Sequence, residues 1–521
     1  MLLGAFMLTS LAGAVEVTSD DGDTTLTLEG YYRLRVHHFS GLYDPSSERW
    51  RDESGAGRYS TQRLQLRPSI NFSDRATFFM QAEAFNNTLM GDNEDLSSTA
   101  VFAGTGGNTG VDGQPGQNFA VQRAWTKFST PAGTVLVGRM ASHWGMGLLA
   151  NDGNGFRNNW GEAYNGSTFD RIMFATKPLA ITQAAFGVGN ADLPLIFAVG
   201  IDRLVEDPLK QYYGTRCNPS DPDDGCADDA DNDWTEERDP SQRRDNWWTD
   251  NDDDVWQIAY VLAYRGEDLD WGGNSTDFSL GGLAFNRHQR ETDSSIWVMD
   301  AHTKLRQRWM YVESEGYAIL GQSRAIALPD YGETDPLAKK VNIWGAAART
   351  GYLTPGLDIT LEGGIASGDD QYTDANFTGR SFQSDYNVGL ILYEEILSRV
   401  SRYQWGDAAD GLWSNGGVYN SKYLFPQVRY QLIPGWNLHA AFLVAAPHRP
   451  DGAVIAKAED SESAILGWEV DAALKIDFQE QMRFSLEGAY AQVSDRVPND
   501  VWGLAADDQV WTVQSRIAYE F

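Results

Sequence analysis

The sequence predicts an all-β protein: a single large transmembrane antiparallel up-and-down β-barrel of about 18 strands, with long extracellular loops; about 16 strands fit the same pattern. Three observations point there. Apolar residues alternate with polar ones over segments longer than the usual globular strand of about 5–6 residues. Short turns alternate with long polar connections. The last segment, 509–521, is itself a clean strand pattern that ends on an aromatic residue.

In that last segment Phe521, Tyr519, Ile517, Val513 and Trp511 share one face, interrupted by Ser515. Glu520, Arg516, Gln514 and Thr512 share the other. An apolar-out, polar-in strand with a terminal aromatic resembles the closing strand of a Gram-negative outer-membrane β-barrel. There the last strand must pair with the first, because lipid tolerates no open edge. The resemblance implies that Phe521, Tyr519 and Ile517 form the signal read by the barrel assembly machinery. It also implies a periplasmic C-terminus.

The other strands follow in order. In the first, Leu26, Leu28, Tyr32, Leu34 and Val36 oppose Glu29, Arg33, Arg35 and His37. In the second, Leu64, Leu66, Ile70 and Phe72 oppose Arg63, Gln65, Arg67 and Asn71. Later, Trp468, Val470, Ala472, Leu474 and Ile476 oppose Glu469, Asp471, Lys475 and Asp477. Met482, Phe484, Leu486 and Tyr490 oppose Arg483, Ser485 and Glu487. Such lengths suit tilted membrane strands of about 9–11 residues with extensions into solvent.

Short turns are expected at 73–75, 130–133, 354–356, 433–435 and 479–481. Long polar connections fall at about 40–57, 90–117, 148–169, 207–254, 327–339, 368–418, 447–462 and 495–508. Counting back from a periplasmic C-terminus puts every long connection outside. This requires 180–193 to be a periplasmic connection and a further turn to lie near Trp309. Residues 386–400 break the alternation, and Val388, Ile391, Leu392 and Ile396 recur at helical spacing. Two readings stand: a helical plug loop at about 380–415 folded onto the barrel mouth, or a local mini-core that orders the loop.

Composition agrees with a barrel. The chain has 521 residues and no run near the roughly 18 apolar residues of a membrane helix. Its mean hydropathy is −0.42. A barrel needs apolar residues at only every second position, and the 18 Trp, 22 Tyr and 23 Phe suit interfacial aromatic girdles. Residues 1–14 read as a secretory signal, with an apolar core from Leu2 to Leu11 and Ala12-Gly-Ala14 at the cleavage site, although the usual basic n-region is missing. Residues 15–521 are then the barrel.

The net charge of −32 excludes a nucleic-acid binder. Much of the acid lies in one connection, 207–254. Its Asp221, Asp223, Asp224, Asp228, Asp229 and Asp231 form a weak Ca²⁺ candidate, or a solvated acidic loop. No other cofactor is expected. Cys217 and Cys226 in the same connection are expected to form a disulfide in an exported protein. Catalysis finds no support in motifs. There is no H-E-x-x-H and no G-x-S-x-G, and Ser142 and His143 on one strand would face opposite sides. The chain is therefore read as a non-enzyme.

The segments Val137-Gly-Arg139, His143-Trp-Gly-Met-Gly147, Asn159-Trp160 and Thr168-Phe-Asp-Arg171 resemble the central motif of alginate-export-type outer-membrane barrels. Leu466-Gly-Trp-Glu-Val-Asp471 through Leu486-Glu-Gly-Ala-Tyr490 resembles that family's penultimate hairpin. The resemblance implies an 18-stranded monomeric barrel with a polar lumen and plugging loops. The acidic, cysteine-bearing connection departs from the family.

Face assignment puts Arg33, Arg35, Arg63 and Arg67 on the lumenal side of adjacent strands, and Arg123 and Lys127 together on a further strand. Lys304, Arg306 and Arg308 share another polar face. Two readings follow: a basic stripe selective for anionic or sugar-like solutes, or structural pairing with Glu29, Glu83, Glu362, Glu469 and Glu487. The expected function is an outer-membrane channel or export conduit for polar solutes, with anionic polysaccharide as one candidate. The alternative is a plugged structural or surface-interaction barrel of the cell envelope.

Overall fold

The computed structural model of the chain describes residues 7–11, 14–19, 22–41, 56–90, 119–155, 158–163, 166–188, 193–204, 255–290, 292–324, 338–370, 375–398, 414–450, 463–478, 481–497 and 509–521. The sheet has 21 strands. Met7–Leu11, Ala14–Thr18 and Asn376–Phe377 lie outside the closed ring, which leaves the 18 of the barrel. These are β1 (Thr24–Ser40), β2 (Ala56–Phe72), β3 (Ala76–Leu89), β4 (Ala120–Thr130), β5 (Gly133–Ser142), β6 (Ser167–Thr176), β7 (Leu195–Leu204), β8 (Trp256–Trp271) and β9 (Asn274–Gln289). The second half comprises β10 (Ser294–Gln307), β11 (Met310–Ser323), β12 (Lys339–Leu353), β13 (Leu357–Ala366), β14 (Ser421–Ile433), β15 (Trp436–Pro447), β16 (Gly467–Phe478), β17 (Met482–Val493) and β18 (Gln509–Glu520).

Each strand pairs antiparallel with the next, and β18 returns to β1 with Trp511 opposite Ser40 and Tyr519 opposite Tyr32. No edge is left in the ring, as an apolar surround demands. Closure is finished by Phe521. Its N–H and C=O bond Gly30 at 3.0 and 2.8 Å, and a Cβ on Gly30 would stand 2.9 Å from the Phe521 ring. Glycine at 30 therefore leaves room for the Phe521 ring, and for the Gln65 carbonyl that a Cβ would also crowd.

The expected turns at 73–75, 130–133, 354–356, 433–435 and 479–481 all join strands at one end of the barrel. The turn near Trp309 is there too, and 177–194 carries a short helix, α1 (Pro178–Phe186). The strand ends that the eight long connections join lie at the opposite end, as do those joined by the short link 290–293. Cys217, Cys226 and the aspartates from Asp221 to Asp231 lie outside the described residues.

Burial is inverted relative to a water-soluble protein. Ile172, Ile201, Leu262, Leu280, Ile359 and Ile517 are exposed on the outer wall. Arg33, Arg63, Asp202, Glu469 and Asp471 are buried on the inner one. Outward aromatics form two belts. Trp256, Trp297, Trp344 and Trp511 stand toward the loop end, and Trp271, Trp309, Tyr352, Tyr430, Phe478 and Tyr519 toward the turn end. Lipid solvates such a surface and water does not, with amphipathic rings at both interfaces.

Candidate functional site in the barrel lumen

Among the described residues, two connections turn inward and meet inside the barrel. The first, between β5 and β6, covers 143–166. The second, between β13 and β14, is described over 375–398 and again from 414.

The first lumenal loop touches the wall at several strands. Trp144 donates its indole N–H to Asp300 of β10 at 3.0 Å. Arg123 of β4 donates to the Asp152 carbonyl at 2.9 Å, and Arg67 of β2 donates to Asn154 at 3.4 Å. Lys475 of β16 donates to the carbonyls of Asn158 and Asn159, and Trp160 donates to Gln427 of β14. Glu162 is fully buried against Arg33 and within 4.0 Å of Arg35 and Arg516. Burial pushes the Glu162 carboxyl up, but Arg33, Arg516 and Arg35 together hold it below the usual carboxylate range.

The second lumenal loop is held mainly by apolar contact. Phe382, Val388, Leu390, Ile391, Leu392 and Ile396 pack in one cluster with inward residues of the wall such as Phe285, Ile319, Ile343, Phe425 and Leu443. The predicted helical stretch forms as a wide π-turn over Leu392–Leu397, with the Ile396 N–H reaching the Ile391 carbonyl at 3.0 Å. The helical spacing of Val388, Ile391, Leu392 and Ile396 is a burial pattern, and the surface they meet is the barrel's own inner wall. Inside this loop Glu394 accepts from Asn387 at 2.8 Å. Burial raises its carboxyl well above the usual range, with Glu395 and Asp385 adding to the rise while Asn387 and Arg35 oppose it.

One device anchors both loops. Gly145 adopts φ +58° and is followed by three N–H groups, of Met146, Gly147 and Leu148, that converge on Glu315 of β11; the last two measure 3.0 and 3.1 Å. Gly389 adopts φ +77° and is followed by the N–H groups of Leu390, Ile391 and Leu392, which reach Glu469 of β16 at 2.6, 2.9 and 2.7 Å. Both are concave backbone nests closed on a carboxylate. A Cβ at Gly145 would run into Glu315, and one at Gly389 would stand 3.0 Å from Glu469.

The predicted basic residues divide. Arg33, Arg63 and Arg123 are buried and engaged. Arg63 pairs with Glu83, which also accepts from Gln65 and Gln81. Arg35 donates to Gln514 at 2.6 Å. Lys127 is exposed on the face shared by Arg123 and Trp125. Lys304 is half-exposed, 3.8 Å from Glu313, and Arg306 is exposed two residues on. Arg308 differs from expectation. β10 ends at Gln307, so Arg308 occupies the turn at φ +51°, with its guanidinium 6.0 Å from the Trp309 ring centre. Of the predicted acidic partners, Glu83 pairs with Arg63 and Glu487 with Lys475. Glu469 instead holds backbone, and Glu362 accepts from Tyr386 and Tyr423. Glu162 and Glu315 escaped sequence reasoning. Glu315 sits in plain alternation on β11, and nothing local to either distinguishes a wall carboxylate from a loop anchor. His143 begins the first loop, near-half exposed and 3.8 Å from Asp152.

Among the described residues no cluster of His, Cys, Asp and Glu is arranged to hold a metal.

No protein-family model matches the chain, and no curated protein sequence matches it. Among solved structures it is similar to OccK11 (OpdR) of Pseudomonas aeruginosa, with 10% identity, a TM-score of 0.47, and 95% of this chain and 96% of that chain covered. It is similar to OpdL of the same organism, at 9% identity and a TM-score of 0.47 over 95% and 98% of the two chains. A BenF-like porin of Pseudomonas fluorescens Pf-5 is similar at 10% identity and a TM-score of 0.44, again over 95% and 98%.

Proposed function

We propose that this chain is a channel of a Gram-negative outer membrane that passes polar solutes by passive diffusion, with its C-terminus in the periplasm. One observation carries the reading: the closed ring exposes an apolar belt outward and lines its interior with arginine, lysine, aspartate and glutamate. A polar lumen crossed by a charge-anchored loop suits water-borne solutes selected by lumenal charge. In this reading the chain works as a monomer in lipid, carries no enzymatic activity, and is delivered after removal of residues 1–14. The barrel assembly machinery recognises Ile517, Tyr519 and Phe521. Export of an anionic polysaccharide is the finer form. It draws on the alginate-export resemblance and on Arg67 and Lys127, which lie on inward faces of β2 and β4.

The apolar cluster of the second loop favours the other reading, a plugged barrel with a structural role in the envelope. Single-channel recording of the purified protein in planar bilayers separates them. The expected result is discrete conductance, shifted toward cations in the double variant Arg67→Glu, Lys127→Glu. No conductance, even after deletion of 380–415, would overturn the channel.

A further inference from the structure

We propose that a second feature of the lumen, a cavity of about 350 Å³ beside the first loop, binds a neutral, hydroxyl-rich solute of saccharide type. Tyr311, Leu353 and Asp358 line it and lie next to the turns at 308–309 and 354–356, so it opens on the turn side of the two loops. Its size falls in the ordinary range for small-molecule sites, about 300–1,000 Å³.

Charge decides the class of ligand. Arg349 and Arg429 line the cavity, as do Asp358, Glu362 and Asp385, so carboxylates outnumber guanidinium groups. Each charge is engaged by the protein. Arg429 donates to Asp358 at 2.7 Å, and Arg349 donates to the Tyr311 hydroxyl at 2.6 Å and to Glu313 at 2.8 Å. Glu362 accepts the hydroxyls of Tyr386 and Tyr423, both at 2.8 Å, and Asp385 accepts the Gly166 N–H at 2.5 Å. An anion entering this space meets no net positive field, unlike one passing Arg67 and Lys127.

What remains for a ligand is a mixed set of neutral donors and acceptors beside aromatic rings. The Asn159 amide is exposed here. The Gln427 carbonyl oxygen accepts the Trp160 indole N–H at 3.0 Å, which leaves its NH₂ to donate. Trp160 meets His439 edge to face at 6.1 Å, and Tyr386 adds a second ring. Hydroxyl groups donate and accept at once, so they satisfy such a set without burying a charge, and sugar C–H faces suit the rings.

The site rests on the channel reading only in that its solute arrives through the lumen. The test is titration calorimetry of the full-length protein in detergent micelles with maltose, glucuronate and spermidine as probes. Maltose is expected to bind. The double variant Asn159→Ala, Gln427→Ala should weaken it at least about tenfold with an unchanged β-sheet circular dichroism spectrum. Absence of maltose binding, binding that survives the double variant, or tighter binding of glucuronate or spermidine at this cavity would overturn the proposal. Conductance without maltose binding removes the site alone; maltose binding without conductance removes the channel and leaves the site.

Discussion

The two lumenal loops use one anchor and two kinds of filling. In both, a left-handed glycine turns the backbone so that the next three N–H groups close on a wall glutamate. Beyond that anchor they diverge. The loop at 143–166 is tied by ion pairs and carbonyl contacts to β1, β2, β4, β16 and β18. The loop at 375–398 is tied by apolar burial against the inner wall of β9 to β15. Charged ties fix position at a desolvation cost, whereas apolar burial fills space with little directional demand. The first loop is thus placed to define a passage and the second to occupy one.

The largest expected effect breaks the first loop. Glu162→Gln leaves Arg33 buried without its carboxylate, and the opening free energy of 143–166 should fall by about 3–5 kcal/mol. Amide hydrogen exchange of that loop measures it, and 375–398 should change much less. Equal loss in both loops would show that they are one unit.

A smaller effect sharpens the anchor comparison. Glu315→Gln and Glu469→Gln each keep shape but lose charge-assisted hydrogen bonds, at about 1.5–3 kcal/mol locally. The loops touch where the Gln383 N–H meets the Leu148 carbonyl at 2.7 Å, and Leu148 is itself held by Glu315. A double-mutant cycle should therefore depart from additivity by more than about 0.5 kcal/mol. Strict additivity would make the two anchors independent.

The smallest effect is opposite in sign for the two loops. Glu162 is held below its ordinary value, so its contribution is present above an unfolded carboxyl pKa of about 4.3 and is lost as pH falls through the depressed folded value. Glu394 is raised, so its contribution is full below about 4.3 and is lost as pH rises through the elevated folded value. Exchange corrected for intrinsic rates should show the first loop loosening in acid and the second loosening toward alkaline pH. Glu394→Gln should abolish the second trend; if the trend persists, another group carries it.

Much of the barrel was legible because its information is local. The outward row of Trp511, Val513, Ile517 and Tyr519 needs only a period of two, and turns such as Gln479-Glu-Gln481 need only polarity and brevity. Counting from Phe521 then pointed to about 18 strands, with 16 left open until the closed ring was seen, and put Arg33, Arg35, Arg63 and Arg67 inside. The site was less legible. Arg308 shares the alternation of Lys304 and Arg306, and the turn that removes it carries no Gly, Pro, Asn or Asp signal. Glu162 lies in a loop with no period, and its partner Arg33 is 129 residues away.

The sequence by itself determined the wall: strand period, alternation of turns and loops, closure on a terminal aromatic, and the sign of charge on each face. Those follow from pleat geometry and from the requirement that lipid meet no unpaired backbone. Tertiary structure alone decided which loops enter the lumen, and which inward carboxylates hold backbone rather than arginine. Glu315 lies 169 residues from the Met146 N–H it accepts, and Glu469 lies 79 from that of Leu390. Contacts over such separations leave no periodicity in the chain, so only the folded barrel brings a left-handed glycine and a wall carboxylate together.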